Sequence, residues 1–254
     1  MDKKPTLKLK SLACALLAAV MVFSFAGCKD RGEPSESSSS ESSSMVEEPS
    51  QDPGDPSEPE KETLDKIAAA QAHNSDVVGW LTIPNTTIDA EVLQKVGDNV
   101  YYERRDITQK YNWYGCYYAD GGNTFGTRND LTKNTIIYGH NMNDGSMFAD
   151  IAGYTQETYW REHPIIQCDS LTRQREYEVM AVLQFKDSEQ AAQDYYSVPC
   201  DEMNFTEYIS RLADAALYDT GIQAVWGDQI LALSTCSRQD SDSRILVIAR
   251  KTGL

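Results

Sequence analysis

The chain has 254 residues, 41% of them hydrophobic, with 39 acidic against 23 basic side chains, a formal net charge of −16 and a pI near 4.5. That is enough to bury one sizeable core, and the acidity argues against nucleic acid as a partner, because phosphate backbones are held by basic surfaces. The three histidines are scattered and no two of the six cysteines have CxxC spacing, so neither a metal nor another cofactor is expected.

At the N-terminus, Lys3, Lys4, Lys8 and Lys10 precede an apolar run from Leu12 to Ala26, the pattern of an export signal. The run falls short of the ~20 apolar residues that span a bilayer comfortably. It ends in Phe25-Ala26-Gly27-Cys28, which resembles a bacterial lipobox, with Phe25 where Leu is usual. Two outcomes follow for segment 1–28: an uncleaved membrane anchor, or cleavage before Cys28 and lipidation of its sulfur. Either way the body is expected on the extracellular face of the cell membrane, tethered by its N-terminus. Residues 29–61 are rich in Ser, Glu and Pro and nearly devoid of apolar side chains. Such a segment cannot bury enough surface to offset the entropy of ordering, so it reads as a disordered linker, with one folded domain from 62 to 254.

Apolar residues at helical spacing predict an amphipathic helix over 62–76. Strand-like runs follow at 77–83 (VVGWLTI), 88–94 (IDAEVLQ), 99–104 (NVYYER), 115–119 (GCYYA), 134–140 (NTIIYGH), 164–171 (PIIQCDSL), 175–185 (REYEVMAVLQF), 228–236 (DQILALSTC) and 243–250 (SRILVIAR). Helices are predicted over 146–154 with 155–163, and over 201–219. Many short, mostly antiparallel strands with a few inserted helices give a mainly β class, a closed β-barrel with helical decoration.

The last two strands carry the chemistry. Alternation along ILALSTC puts Leu231, Leu233 and Thr235 on one face and Ala232, Ser234 and Cys236 on the other. If the two runs pair as an antiparallel hairpin across the polar SRQDSDS connection, Cys236 and Arg244 face each other at its mouth. A guanidinium there favours a thiolate and can donate to an oxyanion formed when that thiolate attacks a carbonyl. The thiol needs a proton acceptor, and His140, at the end of a strand and the start of the polar loop NMNDGSMF, is best placed. His73 lies on a surface helix and His163 in the charged WREHP segment, so both read as solvated or structural. On composition alone, metal binding and a structural disulfide remain rivals. With Cys14 and Cys28 set aside, Cys116, Cys168, Cys200 and Cys236 remain, and nothing in their spacing selects a pairing.

These residues resemble a known family. Leu233-Ser234-Thr235-Cys236, with Arg244 eight residues on in SRILVI, is similar to the TLxTC…R signature of sortases, the cysteine transpeptidases of Gram-positive cell surfaces. Thr135-Ile136-Ile137-Tyr138-Gly139-His140-Asn141-Met142, then Gly145-Ser146-Met147-Phe148, resembles the region of the catalytic histidine in class B sortases. So do Val78-Gly79-Trp80-Leu81-Thr82-Ile83-Pro84, Asp98-Asn99 before Tyr101-Tyr102, and Gly115-Cys116-Tyr117-Tyr118-Ala119-Asp120. The order His, Cys, Arg excludes the papain arrangement, in which Cys precedes His. Ala232 stands where the signature has its first Thr, and Glu103-Arg104 where the family more often has an apolar residue and then Asn.

The resemblance implies a closed sortase-type barrel of about eight strands over 62–254, with an N-terminal helix and a longer helix before the last two strands. It implies that Cys236 attacks the Thr-Gly-like bond of a C-terminal sorting signal, of the NPxTx or (S/P)PxTG kind, to form a thioester. His140 is the implied proton carrier and Arg244 the implied oxyanion donor, with Ser234 beside the substrate groove. The partners implied are surface proteins bearing that signal and the amine of a peptidoglycan precursor. Alternatives are a pilin polymerase that takes a lysine amine, a thiol protease, and a surface lipoprotein keeping the barrel only as a binding module.

Overall fold

The computed structural model describes residues 58–125, 133–189, 192–197, 199, 201–237 and 242–253. The predicted export segment, Cys28, most of the linker and Cys200 lie outside these residues. Helix α1 (Glu58–His73) begins ahead of the predicted 62–76 and ends at the exposed His73. It docks through Ile67 on a small cluster with Val77, Leu93, Tyr102 and Cys116.

Eight strands follow: β1 (Val77–Thr82), β2 (Asp89–Gln94), β3 (Tyr117–Ala119), β4 (Asn134–Tyr138), β5 (Ile165–Ser170), β6 (Glu176–Lys186), β7 (Ile230–Cys236) and β8 (Ser243–Lys251). They close into a barrel in the order β1-β2-β3-β4-β7-β8-β6-β5, with β5 pairing back onto β1. Six pairings are antiparallel, while β2 with β3 and β4 with β7 are parallel. Closure leaves no open sheet edge.

Alternate residues of β7 serve two cores. Leu231 and Leu233 point into the barrel interior with Val92, Ile137, Val179 and Val247, as the alternation predicts. Ile230 and Ala232 face outward, under helix α4 (Glu202–Ala215), with Leu246 and Ile248 of β8. α4 covers this face because Phe205, Tyr208, Ile209 and Leu212 recur at helical spacing, and Asp201 caps it by accepting from the Asn204 amide at 2.9 Å. Strands buried on both faces read as continuous apolar runs. β7 is buried from Ile230 to Thr235, and Cys236 is its first partly exposed residue.

Residues 146–163 form a 3-10 helix (Asp150–Thr155) and the short α2 (Glu157–Glu162), and a further turn of helix, α3 (Ala192–Tyr195), precedes α4. The predicted strand at 99–104 does not form; that segment is a series of turns. Asp98 accepts from the Val100 amide at 3.0 Å, and the Glu103 amide donates to the Val100 carbonyl at 3.3 Å. These local bonds replace ladder bonds, the competition expected of Asx turns. Tyr102 anchors the loop instead, buried with its hydroxyl donating to Asp76 at 2.7 Å and accepting from Asn74 at 2.8 Å.

Candidate active site

Parallel pairing of β4 with β7 brings together segments nearly a hundred residues apart. The register runs Ile137 to Leu233 and Tyr138 to Ser234, and continues past the end of β4, where the Gly139 amide donates to the Ser234 carbonyl at 3.2 Å. The Thr235 hydroxyl returns a bond of 2.7 Å to the Gly139 carbonyl, and Asn141 Nδ2 donates to the Cys236 carbonyl at 3.0 Å. His140 is therefore carried at the end of β4 beside the end of β7 that carries Cys236. Its own carbonyl accepts from the Phe148 amide at 2.8 Å, closing the loop that follows. Position 139 must be small: a Cβ there would stand 2.7 Å from the Phe148 ring, which stacks on Tyr117.

On the other side of β7, the antiparallel register with β8 sets Cys236 directly opposite Arg244, the juxtaposition read from the hairpin. Glu103, Tyr118, Tyr138, Gly139, His140, Ser234, Thr235, Cys236 and Arg244 line one open cavity of about 220 Å³. Arg244 is oriented by Asp187, just past β6, with Nη2 to Oδ2 at 2.9 Å. Ser234 lines the wall and shares a 2.9 Å hydrogen bond with the Tyr196 hydroxyl. The phenols of Tyr118 and Tyr138 in the wall, and of Tyr196 bonded to Ser234, are neutral because burial pushes all three up, and the Tyr138 hydroxyl donates to Asp120 at 3.0 Å.

His140 Nε2 lies 2.8 Å from the Glu103 carbonyl. A carbonyl can only accept, so Nε2 carries the proton and the neutral ring keeps its lone pair on Nδ1. Burial lowers the His140 pKa from its ordinary 6.5; the Glu103 bond opposes this and the Arg104 charge adds to it. The imidazole is then neutral at pH 7 and able to accept a proton.

The other sulfurs are placed differently. Cys116 and Cys168 are free and buried, and burial pushes both thiols up to about 12. His163 caps α2, stacked on Tyr159, with Nδ1 2.9 Å from the Tyr159 carbonyl. Among the described residues no group of His, Cys, Asp and Glu could hold a metal ion, and no helix is long and apolar enough to cross a membrane.

The family model described as "Sortase domain" matches residues 81–252. The chain belongs to the sortase family. Sortase B of Listeria monocytogenes is 34% identical over 194 residues, covering 75% of each chain. A mutant form of Clostridium perfringens sortase B superposes with a TM-score of 0.69 at 22% identity, over 76% of this chain and 89% of that one. A Staphylococcus aureus sortase B–substrate complex gives 0.67 at 22% identity, over 76% and 87%. This sortase thus has the closed barrel of class B structures, and its relatives are cysteine transpeptidases associated with the cell surface.

Of the residues singled out in the sequence, Cys236, His140, Arg244 and Ser234 line one cavity of this sortase. Sequence reasoning missed Asp187, Tyr196, Tyr118, Tyr138 and the bonding roles of Thr235 and Asn141. Tyr118 and Tyr138 stood inside quoted motifs, so alternation along their strands could have found them. Asp187 and Tyr196 reach the site through tertiary packing and carry no local signal.

Proposed function

We propose that the chain is a class B transpeptidase using Cys236 as nucleophile, His140 as proton carrier and Arg244 as oxyanion donor. What supports this is the cavity that Cys236 shares with a half-buried His140 and with the guanidinium opposite it. His140 Nδ1 takes the Sγ proton as sulfur attacks the carbonyl carbon of the signal's Thr. Arg244 leaves or shares its Asp187 contact to donate to the oxyanion. As the C–N bond breaks, the leaving amine takes the proton from Nδ1, and a thioester remains. An acceptor amine of a cell-wall peptide then attacks the thioester, and the sulfur departs and is reprotonated. The substrate is a C-terminal sorting signal of the NPxTx or (S/P)PxTG type, its Thr lying against the β7 face that bears Ser234. Segment 1–28, with Cys28 as lipid acceptor or the apolar run as anchor, tethers the enzyme outside the cell membrane.

The test is mass spectrometry of the full chain incubated with a panel of pentapeptide signals. The expected result is an acyl adduct on Cys236 with peptides bearing Pro at the second position and Thr at the fourth. Equal adducts from peptides lacking both residues, or none from any Pro-Thr peptide, would refute the reading.

A further inference from the structure

Glu103 lines the same cavity as Cys236, His140 and Arg244, and its charge acts on the imidazole. Its backbone is fixed in two ways. The Glu103 carbonyl receives the His140 Nε2 proton, and Gly115, at φ +64, packs so closely that a Cβ there would lie 2.3 Å from that same oxygen. The Glu103 side chain therefore starts from a point tied to the imidazole. It is half-buried, and its carboxylate makes no hydrogen bond or ion pair among the described residues.

The charges around it are engaged elsewhere. Arg104 stacks on Trp113 at 4.1 Å and donates to the Trp113 carbonyl, while its charge still acts on His140. Arg105 stacks on Tyr101 and donates to its carbonyl at 2.6 Å. Asp144, on the loop after His140, already accepts from Tyr114 and from the Ser146 amide and hydroxyl. Arg244, the cation of the cavity, is paired with Asp187. Among the described residues Glu103 thus keeps a carboxylate with no ion-pair partner, its charge and that of Arg104 acting on His140 in opposite directions. A half-buried carboxylate gains most from a partner that brings a positive charge and hydrogen-bond donors.

We propose that the Glu103 carboxylate seats the protonated amine of the acceptor next to His140, selecting a cationic nucleophile over a neutral one. The inference rests on the transpeptidase reading and names its second substrate by chemistry: a primary ammonium. The seated ammonium gives one proton to His140 Nδ1, which is neutral after the first leaving group departs with its proton. The freed amine attacks the thioester carbon, the C–S bond breaks, and the nitrogen's second proton converts the departing thiolate to the thiol. His140 then releases its proton to solvent, so the net change is ammonium plus thioester to amide, thiol and one proton.

The experiment uses the full chain with a sorting peptide that forms the thioester and compares two acceptors by mass spectrometry. Triglycine is cationic at its amine at neutral pH, and hydroxylamine is uncharged. In Glu103→Gln the kcat/KM ratio of triglycine to hydroxylamine should fall about tenfold, through a higher KM for triglycine, the size expected for one charge-assisted contact. Glu103→Asp should recover part of the ratio, and added salt should lower it in the wild type but not in Glu103→Gln. An unchanged ratio in Glu103→Gln, or a fall in both acceptors in step, overturns the proposal. Absence of any thioester in the wild type overturns the transpeptidase reading and this proposal with it, which separates the two failures.

Discussion

Thr235→Val removes one hydroxyl and leaves the shape of the side chain nearly intact. Thr235 is 3% exposed, and its hydroxyl donates to the Gly139 carbonyl at 2.7 Å, tying the strand of Cys236 to the residue before His140. Leaving a buried acceptor without this partner costs ~1–3 kcal/mol, and the extra buried methyl returns about 0.8 kcal/mol. The net loss is about 0.2–2 kcal/mol, or a Tm lower by about 0.5–9 °C for a domain of this size. The consequence for chemistry is larger, since a misplacement of about 1 Å between reacting groups can cost ~10²-fold. Thioester formation should therefore slow by roughly 10–100-fold while Thr235→Ser stays near the wild type. Urea unfolding followed by circular dichroism reads the first effect, and single-turnover trapping of the acyl adduct reads the second. A valine variant within about 0.5 kcal/mol of the wild type that acylates at the wild-type rate would refute the bridging role.

Iodoacetamide at neutral pH should label Cys236 in the native chain and spare Cys116 and Cys168, whose burial pushes their thiols up to about 12; peptide mapping that finds label on Cys168 instead would remove Cys236 from its role. His140 should titrate by NMR with a midpoint below 6.5, because burial lowers its pKa. Since the unfolded chain then takes up this proton first, the stability tied to the neutral ring is complete above pH 6.5 and is lost as pH falls from there toward the folded value. His140→Gln should flatten that part of the stability profile, and a midpoint at or above 6.5 would contradict the placement. Arg244→Ala should reduce thioester formation by ~10²–10³-fold without preventing folding, with Arg244→Lys between the two, because lysine restores the charge and not the planar fork. Near-normal acylation by Arg244→Ala would take the oxyanion from this residue.

Several parts of this protein are local properties of its sequence. Eight of the strands follow from alternation and short apolar runs bounded by turn residues, and α4 follows from Phe205, Tyr208, Ile209 and Leu212 at helical spacing. The facing of Cys236 and Arg244 was legible because a hairpin with a short polar connection has few registers that keep Leu231, Leu233 and Val247 in one core. The failure at 99–104 has the opposite cause: YY beside Val and Glu mimics a strand, but Asp98 and the docking of Tyr102 on Asn74 and Asp76 are cheaper for that backbone than a ladder. Only the tertiary structure decided that β4 lies parallel to β7, which sets His140 beside Cys236, and that Asp187 reaches Arg244 and the Glu103 carbonyl reaches the imidazole. Parallel neighbours have no short connection between them, so nothing local records their pairing. It is fixed when the barrel closes and every strand edge must find a partner, a condition on the whole chain that no single stretch of residues contains.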